Sequence, residues 1–138
     1  MNKGYKTELL HFNYREQNIK MLLYSNHLQL NEFCVSKKLN QIHSKICNNC
    51  SLYRVESIYH YLLKCPLYSE IRTIRDNTIK QIYTEYNKDK ENKLKINYNK
   101  NNIKQMIFPP WNLETMQRIR IIKSTIYFII KSKRFEQL

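Results

Sequence analysis

The chain of 138 residues carries 24 lysines and arginines against 11 carboxylates, a formal charge of +13 with a pI near 9.7. With one glycine and no alanine, it has no room for a Gly-rich phosphate loop, a dinucleotide-binding fingerprint or a Gly-x-Ser-x-Gly nucleophile turn. No apolar run approaches the ~20 residues that span a bilayer, and no Asp-Asp pair is present to seat the two metal ions of a polymerase or nuclease.

The positive charge points to a polyanion, either nucleic acid or an anionic membrane face. Abundant Asn, Lys, Ile and Tyr also match an AT-rich coding sequence, which accounts for part of the lysine excess. The length suits one small domain or two subdomains with a modest core. Four cysteines without secretory features suit a reducing intracellular compartment, nuclear or cytoplasmic.

Residues 1–46 read as an N-terminal helical segment. Thr7 is a candidate cap, and Leu10, Tyr14, Ile19, Leu22 and Leu23 form an imperfect helical stripe. Asn31 is a second candidate cap, followed by Glu32, Phe33, Val35 and a basic end at Lys37 and Lys38 that suits the helix dipole. Cys34 falls in this helix and reads as a small buried hydrophobe, the alternatives being a further ligand or a reactive thiol. His11, His27 and His43 have no partner spacing, with His43 the substitute ligand should His60 fail.

The next stretch carries the chemistry. Cys47, Cys50, His60 and Cys65 form a C-x2-C-x9-H-x4-C array. Three thiolates and an imidazole complete a closed tetrahedral zinc site, because zinc favours sulfur and imidazole nitrogen. The two-residue gap presents both sulfurs of the first pair on one tight turn. Ser57 is a good N-cap for a short helix holding His60. On an ideal helix residues five apart stand about 140° from one another, so His60 and Cys65 share a face only if the helix ends before Cys65. Pro66 supplies that ending and opens the next helix. Two disulfides are the competing use of four cysteines, and a surface histidine is the competing reading of His60.

The run Cys47-x2-Cys50, Glu56-Ser57-x2-His60, Leu62-Leu63, Cys65-Pro66, Tyr68 and Arg72 resembles the zinc-binding domain at the carboxyl end of non-LTR retrotransposon reverse transcriptases. Upstream, His27-Leu28-Gln29-Leu30-Asn31 resembles the Gly-His-x-x-Leu-Asn stretch that precedes that site, with Asn26 in place of the glycine. The resemblance spans about residues 22–75. It implies a zinc-bound accessory module that holds element RNA or target DNA while the polymerase acts. Lys45, Arg54, Lys64, Arg72 and Arg75, which flank the ligands, are then the expected nucleic-acid contacts.

After Pro66 the pattern is helical, with Leu67, Ile71, Ile74, Ile82 and Tyr86 on one face and Ile79 and Tyr83 beside them. Arg72, Arg75 and Lys80 lie off that stripe, as a phosphate-contacting ridge or a solvated face. Residues 87–105 turn to Asn and Lys and read as a linker or loop, with Tyr98 isolated within it. Order resumes at Met106-Ile107-Phe108, and Pro109-Pro110 precede a last helix with Asn112 as candidate cap. Leu113, Met116, Ile119, Ile122, Ile126 and Ile129 line that basic amphipathic helix, and Ile121, Phe128 and Ile130 widen its apolar surface. Packing on two sides is expected, chiefly against the helix of 67–86. A membrane surface is the third-ranked partner.

These readings predict a mostly α fold, in which a small zinc-clamped turn sits between helices. The segments are 1–46, 47–86 (zinc module and following helix), 87–105 (linker) and 106–138 (C-terminal helix). The expected function is binding of RNA or DNA without enzymatic activity. The alternative is a zinc-stabilised module that docks on a reverse transcriptase polyprotein or another protein through the C-terminal helix.

Overall fold

A computed structural model describes residues 10–96 and 103–135. The fold is mostly helical, as the patterning predicts, and the four metal-ligating candidates gather in one cluster. The helices are α1 (Tyr14–Tyr24), α2 (Asn31–Lys37), α3 (Ser69–Asn87), α4 (Lys104–Ile107) and α5 (Thr115–Ser132). A π-helical turn, His60–Lys64, and a 3-10 turn, Pro66–Tyr68, lead into α3.

Helix α1 begins at a capping box. Asn13 Oδ1 accepts from the Glu16 N–H at 2.8 Å, and Glu16 Oε1 accepts from the Asn13 N–H at 3.0 Å. Thr7, the expected cap, lies outside the described residues. Fixing the start here turns Phe12, Ile19 and Leu23 inward and leaves Leu10 and Tyr14 exposed, so the buried stripe is displaced from the expected one. The chain leaves α1 through Asn26, which has a φ of 57°. Asparagine tolerates this left-handed backbone better than other residues with a side chain, so the position retains the turn that a glycine would make.

Helix α5 is the centre of the fold and packs on α1, α3 and α4. Ile119, Ile121, Ile122, Ile126, Phe128 and Ile129 are all buried, each contributing about 1.5–3 kcal/mol of apolar burial. The two-sided packing is as expected. Its start differs: Glu114 occupies the cap position, its N–H donating to Gln117 Oε1 at 3.1 Å, while Asn112 stays exposed outside the helix.

The face that α3 offers to α5 is rotated from the expected one. Ile71, Arg75, Ile79, Ile82 and Tyr86 point inward or sideways, whereas Leu67 and Ile74 are 60% and 54% exposed. Arg75 takes a core position. It is 1% exposed, its guanidinium lies 4.9 Å from the Phe128 ring centroid, and Asp76 accepts from it at 2.9 Å. A long aliphatic stem with a paired, ring-stacked head fills a core slot that periodicity assigns to an isoleucine.

Part of the expected linker is structured. The Asn87 side-chain amide donates to the Leu94 carbonyl at 2.8 Å and accepts its N–H at 2.9 Å, closing a loop that lays Leu94 and Ile96 on the core. Residues 97–102, including Tyr98 and Lys100, lie outside the described set. Helix α4 begins inside the expected linker and buries Met106 and Ile107.

The end of α5 returns to the cysteine-rich region. Lys133, with a φ of 53°, turns the chain so that Arg134 meets the Glu56 carboxylate, Nη2 at 2.6 Å and Nε at 2.9 Å. Glu56 is 1% exposed and Arg134 22% exposed. The Arg120–Glu85 pair, at 43% and 47% exposure, is solvated. Arg134→Ala strands a buried carboxylate and is expected to destabilise by about 3 kcal/mol. Arg120→Ala is expected to cost under ~1 kcal/mol. Urea denaturation of both variants checks the difference.

Candidate metal centre

The centre is built from a hairpin and a widened helical turn. Ile46 and Val55 form an antiparallel bridge, with the Cys47 N–H donating to Arg54 O and the Glu56 N–H to Lys45 O, both at 2.8 Å. The hairpin presents Cys47 and Cys50. The Asn49 N–H donates to Cys47 Sγ at 3.4 Å, a bond inside the tight turn that separates the two ligands.

The chain then enters its second half through Ser57, whose Oγ accepts from the His60 N–H at 3.1 Å, as expected of an N-cap. The helical turn does not simply stop before Cys65. It widens to an i→i+5 bond, the Cys65 N–H donating to His60 O at 2.7 Å. That extra residue in the turn brings His60 and Cys65, which an ideal helix would set apart, to one ion-sized site. Pro66 holds Cys65 extended at φ −58° and ψ 121°. It also removes the N–H that Leu62 O would receive in a continued helix. Arg72 fills that place: its Nε donates to Leu62 O at 3.2 Å and its Nη2 to Cys65 O at 2.6 Å.

The four ligand atoms lie within 4.8 Å of one another. Cys47 Sγ and Cys65 Sγ are 4.0 Å apart, and Cys50 Sγ stands 3.4 Å from His60 Nε2. A tetrahedral zinc with its usual bond lengths has S···S edges of about 3.8 Å and S···N edges of about 3.5 Å. The donor set and its dimensions fit one four-coordinate metal ion. Four protein ligands would complete the shell of such an ion. None of the cysteines forms a disulfide.

Electrostatics agree with this arrangement. Burial pushes the Cys47 thiol up and the Cys65 thiol up to about 12, opposed in each case by a backbone N–H, from Asn49 and Leu67 respectively. Burial lowers His60 below its ordinary 6.5, with Arg72 and Arg54 adding to the effect against the pull of Glu56. At neutral pH the site therefore offers a neutral imidazole and thiols that surrender protons to an incoming cation.

Around the ligands stands a polar frame that the sequence reading missed. Glu56 accepts from the Asn31 N–H at 2.8 Å, from Asn49 Nδ2 at 3.1 Å and from Arg134. Asn31 is not the cap of α2; Leu30 holds that position, and the Glu56 carboxylate caps the helix from across the fold. The Asn31 side chain instead donates to Ile46 O at 2.7 Å, next to the first ligand. A carboxylate one residue before the Ser57 cap was the available signal. Nothing in the local sequence pairs it with Arg134.

The expected nucleic-acid contacts divide in two. Lys45, Arg54 and Lys64 are exposed. Arg72 is committed to the two carbonyls of the metal turn, and Arg75 belongs to the core. Cys34 is buried away from the cluster, as read, with Asn40 Nδ2 3.7 Å from its sulfur, and His43 is exposed and outside it. No helix among the described residues is long and apolar enough to cross a membrane. No protein-family model, curated protein or solved structure matches the chain.

Removing a ligand and removing a core thiol have different consequences. Cys65→Ala is expected to abolish stoichiometric metal retention and lower the thermal midpoint sharply, because metal binding contributes directly to folding free energy. Cys34→Ala is expected to retain metal and cost about 1–2 kcal/mol. Elemental analysis with thermal melts checks both.

Metal uptake is also linked to protons. His60 releases none at pH 7, whereas Cys47 and Cys65 release theirs, so affinity is expected to rise with pH through the neutral range. The sign follows from the thiols being raised and the imidazole lowered. Calorimetric titration of metal in buffers of different ionisation enthalpy measures the protons released.

Proposed function

We propose that the chain is a zinc-stabilised, non-enzymatic nucleic-acid-binding module, of the kind that serves as an accessory domain to a retrotransposon reverse transcriptase. The observation that carries the reading is the convergence of Cys47, Cys50, His60 and Cys65 into one closed site. Zinc is the metal that this donor set suits best, with three sulfurs, one imidazole and tetrahedral edges. What supports the resemblance of residues 22–75 to the retrotransposon domain is that Asn31, Glu56, Ser57, Pro66 and Arg72, all part of the resembling pattern, each shape the site or its frame.

The net charge of +13 favours a polyanion. In this reading Lys45, Arg54 and Lys64 meet phosphates, while Arg72 and Arg75 act from within the protein. Docking of another protein on the 113–129 stripe is the weaker reading, because Leu113, Ile119, Ile122, Ile126 and Ile129 are buried in this chain's own core.

The test is the salt dependence of binding to RNA and DNA, measured by fluorescence anisotropy on the zinc-loaded chain. Affinity is expected to fall steeply with salt. Replacing Lys45, Arg54 and Lys64 together by Gln is expected to flatten the slope by about 2, given about 0.7 per neutralised single-strand phosphate. No binding at low salt, or a slope untouched by the triple change, would refute the assignment.

A further inference from the structure

The loop of the metal hairpin carries, as its last residue, an aromatic side chain in an unusual position. Tyr53 is 85% exposed and its neighbour Leu52 is 49% exposed. Tyr53 has a φ of 51° and is the only aromatic among the described non-glycine residues with positive φ. Glycine or asparagine would relax that backbone, whereas a bulky side chain there is a local strain. The ring makes no close aromatic pairing among the described residues. Strain of this sort, held in place by surrounding structure, is a pointer to function. Here the surroundings do hold it: the Cys47 N–H binds Arg54 O at 2.8 Å on one side, and Cys50 is tied into the ligand cluster on the other.

Charge identifies the occupant. No carboxylate lies in the sequence between Glu32 and Glu56, while Lys37, Lys38, Lys45 and Arg54 are all exposed there. Glu56 itself is buried and neutralised by Arg134. An exposed ring next to the exposed Arg54, on a hairpin whose other arm carries the exposed Lys45, fits a strand whose bases are free to stack and whose phosphates need counter-charges. A duplex, its bases already stacked, offers the ring nothing.

We propose that Tyr53 is a base-stacking platform for single-stranded nucleic acid, with Arg54 and Lys45 taking the adjacent phosphates. The proposal rests on the nucleic-acid reading above and adds to it a strand preference and a stacking residue.

The experiment compares wild type with Tyr53→Asn and Tyr53→Phe, each zinc-loaded, for binding to oligouridine, to oligothymidine and to a duplex of equal length. Asparagine removes the ring and suits the left-handed backbone, so the hairpin is retained. Unchanged metal content and circular dichroism verify this. The expected result is about tenfold weaker binding of both single strands by Tyr53→Asn, from the loss of one stacked base. Tyr53→Phe should stay within about twofold of wild type, because the π face is what stacks. Duplex binding should be the same in all three. Loss on one of the two single strands alone would set the ligand as RNA or as DNA within the same proposal. If wild type binds these ligands with steep salt dependence but Tyr53→Asn matches it, the stacking proposal is overturned and the nucleic-acid reading stands. Equal losses in Tyr53→Phe or on the duplex overturn it likewise. If wild type binds none of them, the nucleic-acid reading itself fails.

Discussion

The Glu56 carboxylate is the constraint on which the arrangement of the chain depends. It is buried, and it receives hydrogen bonds from the Asn31 N–H at the start of α2, from Asn49 between two metal ligands and from Arg134 beyond the end of α5. A buried charge of this kind is tolerable only when it is fully paired. Meeting that demand draws together three segments far apart in sequence. The N-terminal helices, the metal hairpin and the C-terminal end are thereby fixed around one anion. The hydrogen bond from Arg134 to Glu56 also raises the guanidinium pKa above its ordinary value, against the opposing effect of burial.

The metal turn depends on a second constraint, which is local. A proline after Cys65 both extends the ligand's backbone and deprives the preceding turn of a donor. The turn responds by widening to a π geometry, and Arg72 satisfies the carbonyl that is left over. Directly beneath lies the aromatic group of Tyr61, Tyr68, Phe128 and Phe135. The Tyr61 hydroxyl meets Ser132 Oγ at 2.5 Å, joining this turn to the end of α5. The ligands therefore rest on the hydrophobic core and do not hang from a free loop. A metal ion bound there would brace helix packing as well as the hairpin.

The cysteine spacing, the role of Ser57, the break at Pro66 and the two-sided packing of α5 were legible in the sequence. Each depends on neighbours within a few residues or on a regular period. Long-range polar pairing was not legible. Arg75 reads as part of a phosphate-contacting ridge or a solvated face because periodicity ranks side chains by polarity, yet it stacks on Phe128 in the core, and nothing near Arg134 in the sequence signals its pairing with Glu56. Asn31 and Asn112 look alike as cap candidates. Asn31 was drawn one position into α2 by Glu56, and Glu114 with Gln117 supplies a cap that fixes the start of α5 beyond Asn112. The widened turn at His60–Lys64 has no signature of its own short of the requirement that His60 and Cys65 meet.

The proposed function depends on a single zinc ion being held by the three sulfurs and one imidazole nitrogen that gather within this core. X-ray absorption at the zinc edge of the purified full chain tests it directly. The account predicts one zinc per chain, with three sulfur scatterers at about 2.3 Å and one nitrogen at about 2.0–2.1 Å. A first shell dominated by oxygen or nitrogen, or a folded chain that retains no stoichiometric metal, would contradict it.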